Sequence, residues 1–177
     1  MSERNQMSLK KWILSALFLA LGTVLPLLTA QIKEIGDTLL PMHLPVMLCG
    51  LVCGAPFGLA VGFILPFFRS LLFGMPPLYP SAVWMAFELA TYGFVIGLLY
   101  RKLRGHQALR LYGSLITAMV AGRIVWGVVK AVLLGIGGKA FPFIAFLMGG
   151  FADAFLGILL QLLLVPPLAK LLMWQFK

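Results

Sequence analysis

Charged side chains are scarce in this sequence: they make up 11% of the 177 residues, and only five are acidic. Soluble domains carry about 25% charge and are roughly 45–50% apolar. With 62% hydrophobic residues and a mean hydropathy of +1.03, the chain reads instead as an integral membrane protein. A spanning helix takes ~20 apolar residues, so the length holds about six spans and no built-in ATPase or soluble catalytic module. Histidine and cysteine are scarcer still, with two of each. Cys49 and Cys53 sit four apart on one expected helix with nothing to complete a metal site, and read as small apolar packing residues. No metal site and no cofactor is expected. No G-x-S-x-G and no H-E-x-x-H occurs, so hydrolytic chemistry has no recognisable constellation. The net charge of +9 does not form a nucleic-acid patch, because the basic residues fall at segment ends, where topology signals lie.

What is present is a succession of apolar segments. The spacing predicts an all-α, six-helix bundle forming a single integral membrane domain over residues 1–177. Its segments are Leu9–Ala30, Leu44–Cys53, Pro56–Phe73, Ser81–Tyr100, Leu109–Leu134 and Phe143 to about Leu172. The first reads as an uncleaved signal anchor, its apolar run exceeding the ~7–15 residues of a signal-peptide core. Nine Lys and Arg residues (Arg4, Lys10, Lys11, Arg101, Lys102, Arg104, Arg110, Lys170, Lys177) collect on one side, against Lys33 and Lys139 on the other. The positive-inside rule then makes both termini cytoplasmic and turns the Gln31–Met42, Gly74–Pro80 and Gly135–Pro142 loops outward. His43 and His106 fall on opposite sides and cannot share a metal.

Small residues indicate how such helices pack. Gly50, Gly54, Gly58 and Gly62 recur every four residues, and Gly93 and Gly97 repeat that spacing. In lipid, close backbone approach of this kind replaces the hydrophobic drive to associate. Ala16 and Ala20 form a shallower stripe on the first helix, suited either to internal packing or to docking on another membrane protein.

Five charges lie inside expected spans: Arg69, Glu88, Arg123, Lys130 and Asp153. Each costs at least ~2.5–3.5 kcal/mol at the bilayer centre, which makes each a functional-site candidate. Arg69, Lys130 and Glu88 share one shallow outer layer. Arg123 and Asp153 lie deeper at matched depth, and are expected to form a structural ion pair. Arg123, Trp126 and Lys130 fall on one helical face, as do Trp84, Glu88 and Thr91. An aromatic beside a charge on both faces suits a cradle for a small polar molecule. With three cations and two anions buried, a carboxylate ligand is the natural complement. Snorkelling of Arg69 and Lys130 to the headgroups is the plainer alternative.

At these residues the sequence resembles the substrate-binding S components of energy-coupling factor (ECF) vitamin transporters. The likeness is carried by the Ala16-x-x-x-Ala20 stripe, the run Pro45-Val46-Met47-Leu48-Cys49-Gly50 continuing to Gly62, the Gly74-Met75-Pro76-Pro77 turn, and the helix from Glu88 through Tyr92-Gly93 to Tyr100. The resemblance implies a non-enzymatic transport subunit that binds a vitamin, pantothenate-like substrates being closest, on the extracellular side. It implies a lid over Gln31–Met42 and docking through Ala16 and Ala20 on a transmembrane scaffold subunit driven by two cytoplasmic ATPases. The expected substrate-binding residues are Arg69, Trp84, Glu88, Trp126 and Lys130, with His43 and Tyr79 at the outward ends of loops. Two other classes remain open: a small intramembrane enzyme using Glu88 or Asp153 as a base, and a ligand-free assembly subunit.

Overall fold

A computed structural model describes residues 3–29 and 40–175, and every regular element in them is helical. The stretch 30–39, which holds most of the expected lid together with Lys33, Glu34 and Asp37, lies outside the described residues. The helices are α1 (Glu3–Val24), α2 (His43–Val52), α3 (Ala55–Phe73), α4 (Val83–Lys102), α5 (Gln107–Ile136), α6 (Phe143–Leu147) and α7 (Phe155–Gln175). A 3₁₀ turn, Leu25–Thr29, continues α1; wider π-type turns, Leu78–Ala82 and Met148–Ala152, precede α4 and α7.

Five helical stretches are long and apolar enough to cross a membrane: Gln6–Leu27, Ala55–Phe73, Leu78–Lys102, Gln107–Ile136 and Phe155–Trp174. The second expected segment, Leu44–Cys53, is short for a full span, as its length in the sequence indicates, and the sixth differs from the sequence reading. With ten residues, α2 is about 15 Å long, half of a hydrocarbon core. It ends where Gly54 takes φ +107°, a conformation that suits glycine, and Pro56 opens the first turn of α3. Eight of its residues are buried, from His43 and Pro45 through Leu51, so protein rather than lipid covers it. The last segment breaks at Asp153, leaving α6 and its π-type turn as a separate short piece. Outward-facing apolar residues such as Leu71, Ile124, Val128 and Leu163 remain exposed, as a lipid-facing surface requires.

The middle of the bundle is a crossing of backbones. A Cβ on Gly50 or Gly58 would run into the carbonyl of Gly93, one on Gly93 into the carbonyl of Gly58, and one on Gly97 would lie 2.5 Å from the carbonyl oxygen of Gly50. The four-residue glycine spacing is thus the seam where α2 and α3 pass α4. Around it α1 packs on α2 and α3, α5 on α4, and α7 on α2. Trp12 meets Phe57 edge to face with centroids 5.2 Å apart, and Arg101 on α4 reaches the Cys53 carbonyl at 3.4 Å. These contacts bring the start of α1, the α2–α3 turn and the end of α4 to one end of the bundle, the proximal end. Cys49 and Cys53 are buried free thiols. No cluster of metal-binding side chains occurs among the described residues.

Gly93→Val forces two backbones apart and should cost about 3 kcal/mol, the upper part of the range for overpacking. Gly135, on α5 with nothing within 4 Å of its missing Cβ, is the control. Gly135→Ala should leave the detergent unfolding midpoint unchanged or slightly raised, by up to about 1 kcal/mol of helix propensity. Equal midpoints for the two variants would refute the seam.

Candidate functional site

The site lies towards the distal end, opposite Arg101, and has two tiers. The inner tier centres on Glu88, in the second turn of α4 and 2% exposed. Its Oε1 accepts from Arg123 Nη1 of α5 at 3.1 Å, from the Tyr92 hydroxyl at 3.2 Å, and lies 3.4 Å from Nε2 of His43 at the start of α2. The His43 and Tyr92 rings meet edge to face at 5.1 Å. Gly122 makes room for this, since a Cβ there would lie 2.7 Å from the Tyr92 ring. A carboxylate taken from water needs an opposite charge and full hydrogen bonding. Glu88 draws these from three helices and so holds them together.

One turn further out, α4 contributes Trp84 and α5 contributes Trp126 and Lys130. The Lys130 ammonium stands 4.5 Å from the Trp126 ring centroid, 5.1 Å from Phe141 and 5.2 Å from Trp84. Trp126 is also edge-on to Phe141 at 5.9 Å and tilted against Phe146 at 6.2 Å. Each cation–π contact is worth about 0.5–2 kcal/mol, more when dry, so a half-buried ammonium is held here by ring faces. The cluster sets three flat ring faces around one positive charge.

The expected site residues therefore divide. Trp84, Trp126 and Lys130 come together, as do Glu88 and His43. Arg69 is buried, but donates from Nη1 to the Thr23 carbonyl at 2.8 Å and lies over Phe73, fastening the end of α1 to the end of α3. Tyr79 is 63% exposed in the turn before α4. Ala16 and Ala20 are both exposed on the outer face of α1, beside Trp12 and Leu17. The Arg123–Asp153 pair is corrected: Arg123 finds its carboxylate in Glu88, and Asp153 is exposed at the break before α7. Matched depth presumed two straight helices joined by one loop, and α6 with its π-type turn removes that register. The sequence reading missed Tyr92, although it lies four residues after Glu88 on the same face. It also missed Phe141, which follows a glycine-rich loop and has no periodicity to mark it.

The fold is a helical membrane bundle with a polar node deep in its interior and an aromatic cluster around a cation above it. The family model for the ECF transporter substrate-specific component matches residues 10–169. The chain belongs to that family. Its members are transport subunits that associate with a transmembrane scaffold and ATPase subunits. No curated protein and no solved structure matches the chain.

Arg123→Met strands a buried carboxylate and should lower stability by about 3–5 kcal/mol, whereas the double variant Arg123→Met/Glu88→Gln should recover most of that loss. Asp153→Asn should leave the unfolding midpoint where it is. A double variant no more stable than the single one would remove Glu88 as the partner that matters.

Proposed function

We propose that this protein captures an anionic micronutrient at its distal end, with pantothenate the first candidate. The distal end faces outward, both termini are cytoplasmic, and the loaded protein delivers its substrate through the scaffold subunit and two cytoplasmic ATPases. The observation that carries the reading is Lys130 ringed by Trp84, Trp126 and Phe141, which sets a positive charge and flat apolar walls at the mouth of the bundle. A carboxylate end on Lys130, with the body of the molecule against the rings, uses both features.

The asymmetry of Lys and Arg supports the orientation. Tyr79 would border the approach from the loops, and Gln31–Met42 would close over the substrate. The exposure of Ala16 and Ala20 supports α1 as the face that meets the scaffold. An enzyme using Glu88 as base is disfavoured by the three groups gathered at its Oε1, and Asp153 has no positioned partner among the described residues.

Purified protein should bind pantothenate without altering it, and Lys130→Met should weaken binding by about tenfold or more while the protein stays folded, the scale of a lost charge-assisted contact. Calorimetric titration with pantothenate, biotin and folate reads this directly; failure of all three to bind would reject the anionic substrate. Ala16→Trp and Ala20→Trp should keep binding but abolish uptake by the assembled transporter in cells. Undiminished uptake by both would remove the docking role of α1.

A further inference from the structure

The turn from α4 to α5 is short and basic. Arg101, Lys102 and Arg104 are exposed in it, with His106 at its end. It is fixed on both sides. Arg101 donates from Nη2 to the Cys53 carbonyl, and Arg110 gives Nε and Nη2 to the Tyr100 carbonyl at 3.1 and 2.7 Å while lying 4.5 Å from the Tyr100 ring centroid. Arg110 therefore serves the turn itself. Lys102 and Arg104 remain as exposed cations with no ion pair among the described residues. Few acidic groups are at hand to answer them. Of the five in the chain, Glu88 is in the node, Asp153 at the break before α7, Glu34 and Asp37 in the stretch outside the described residues, and Glu3 at the start of α1.

Beyond the turn, α5 carries an apolar track. Leu109, Tyr112, Ile116 and Val120 are all exposed and recur every three or four residues, so they share one helical face. The track runs into a crevice of about 130 Å³ between α5 and α7, which pack on each other only sparsely. Ile116 and Val120 form one wall, Ile158 and Leu162 the other, and Phe151 borders it. No polar atom faces the crevice, and the exposure of Ile116, Val120 and Phe151 leaves it open on the lipid side. From Leu109 to Val120 the helix rises ~16 Å, about half of a ~30 Å hydrocarbon core. An acyl chain that starts at the turn thus ends in the crevice. An apolar cavity of ~150 Å³ accepts a benzene ring, so the crevice takes the last few carbons of one chain.

A ligand that meets both features has an anionic head and a long apolar tail. An acidic protein segment would answer the cations and leave Leu109 and Tyr112 uncovered; a neutral lipid would do the reverse. We propose that the groove along α5 and α7 holds one anionic phospholipid. Its phosphate lies on Lys102 and Arg104, and one acyl chain follows Leu109, Tyr112 and Ile116 into the crevice. Lys170, exposed on α7 ~12 Å past Leu162, reaches the level of the head group from the other helix. The lipid fills an interface that side chains leave thin and so braces α5, the helix that carries Arg123 and Lys130. This holds whichever substrate the protein captures.

The test titrates full-length protein in detergent with palmitoyl-oleoyl phosphatidylglycerol and with phosphatidylcholine of the same chains, and counts retained lipid by native mass spectrometry. Wild type should hold one phosphatidylglycerol about tenfold or more over phosphatidylcholine, given about fivefold for each cation near an anionic head group. Lys102→Gln/Arg104→Gln should bring that preference down to about twofold or less. Val120→Phe and Ile158→Phe fill the crevice from either wall. Each should weaken retention of phosphatidylglycerol about fourfold or more, the scale of one methylene group kept out, with the unfolding midpoint recorded beside it. Equal retention of the two lipids by wild type overturns the inference. A preference untouched by the charge substitutions, or retention untouched by both crevice substitutions, places the lipid elsewhere and overturns it as well. A dimer that carries no lipid overturns it in favour of a second copy of this chain seated on the groove.

Discussion

The glycine seam, where α2 and α3 cross α4 with backbone against backbone, is the constraint on which the rest of this structure depends. Helices in lipid gain nothing from hiding apolar surface, so they associate through close contact and polar pairing. Gly50, Gly58, Gly93 and Gly97 let α4 come near enough that α2, too short to span a bilayer, is enclosed by its neighbours. Enclosure in turn brings His43, at the first position of α2, to Glu88. A wider crossing would withdraw the imidazole and open the node to lipid, where a carboxylate has no partners at all.

Charge is distributed on the same principle. Three ionisable groups held inside the bundle meet specific partners: a guanidinium, a hydroxyl and an imidazole for Glu88, a helix-terminal carbonyl for Arg69, ring faces for Lys130. These partners differ in strength. The Glu88 node is closed and joins three helices, which makes it structural first. The Lys130 ammonium lies against ring quadrupoles, which hold a cation without neutralising it. The proposed binding function belongs with the second arrangement.

Much of this was legible in the sequence, because periodicity survives in lipid as it does in water. The glycine spacing marks the seam, and the two faces bearing Trp84 with Glu88 and Trp126 with Lys130 mark side chains that the fold brings together. What could not be read depended on breaks in helices. The partner of Arg123 was sought by counting depth from a loop, a method that needs unbroken spans; the π-type turn at Met148–Ala152 and the break at Asp153 defeat it. The brevity of α2 leaves five candidate spans among the described residues, while the break shortens the last of them to Phe155–Trp174. Depth alone does not give direction for Arg69, whose side chain turns to α1. Phe141 sits in a loop, where no period exists to reveal it.

The position of α2 joins these observations mechanically. It packs on α1, whose outer face carries Ala16 and Ala20, and through its first residue it supplies His43 to the node beneath the aromatic cluster. Backbone contacts without intervening side chains leave little room for sliding, since any shift brings carbonyl against Cα rather than one rotamer against another. Helices α2, α3 and α4 therefore behave as one body, and α5 is tied to that body by the Arg123–Glu88 pair. Adjustment is left to the parts outside the seam, namely α6, its π-type turn and the aromatic chain from Trp126 to Phe151.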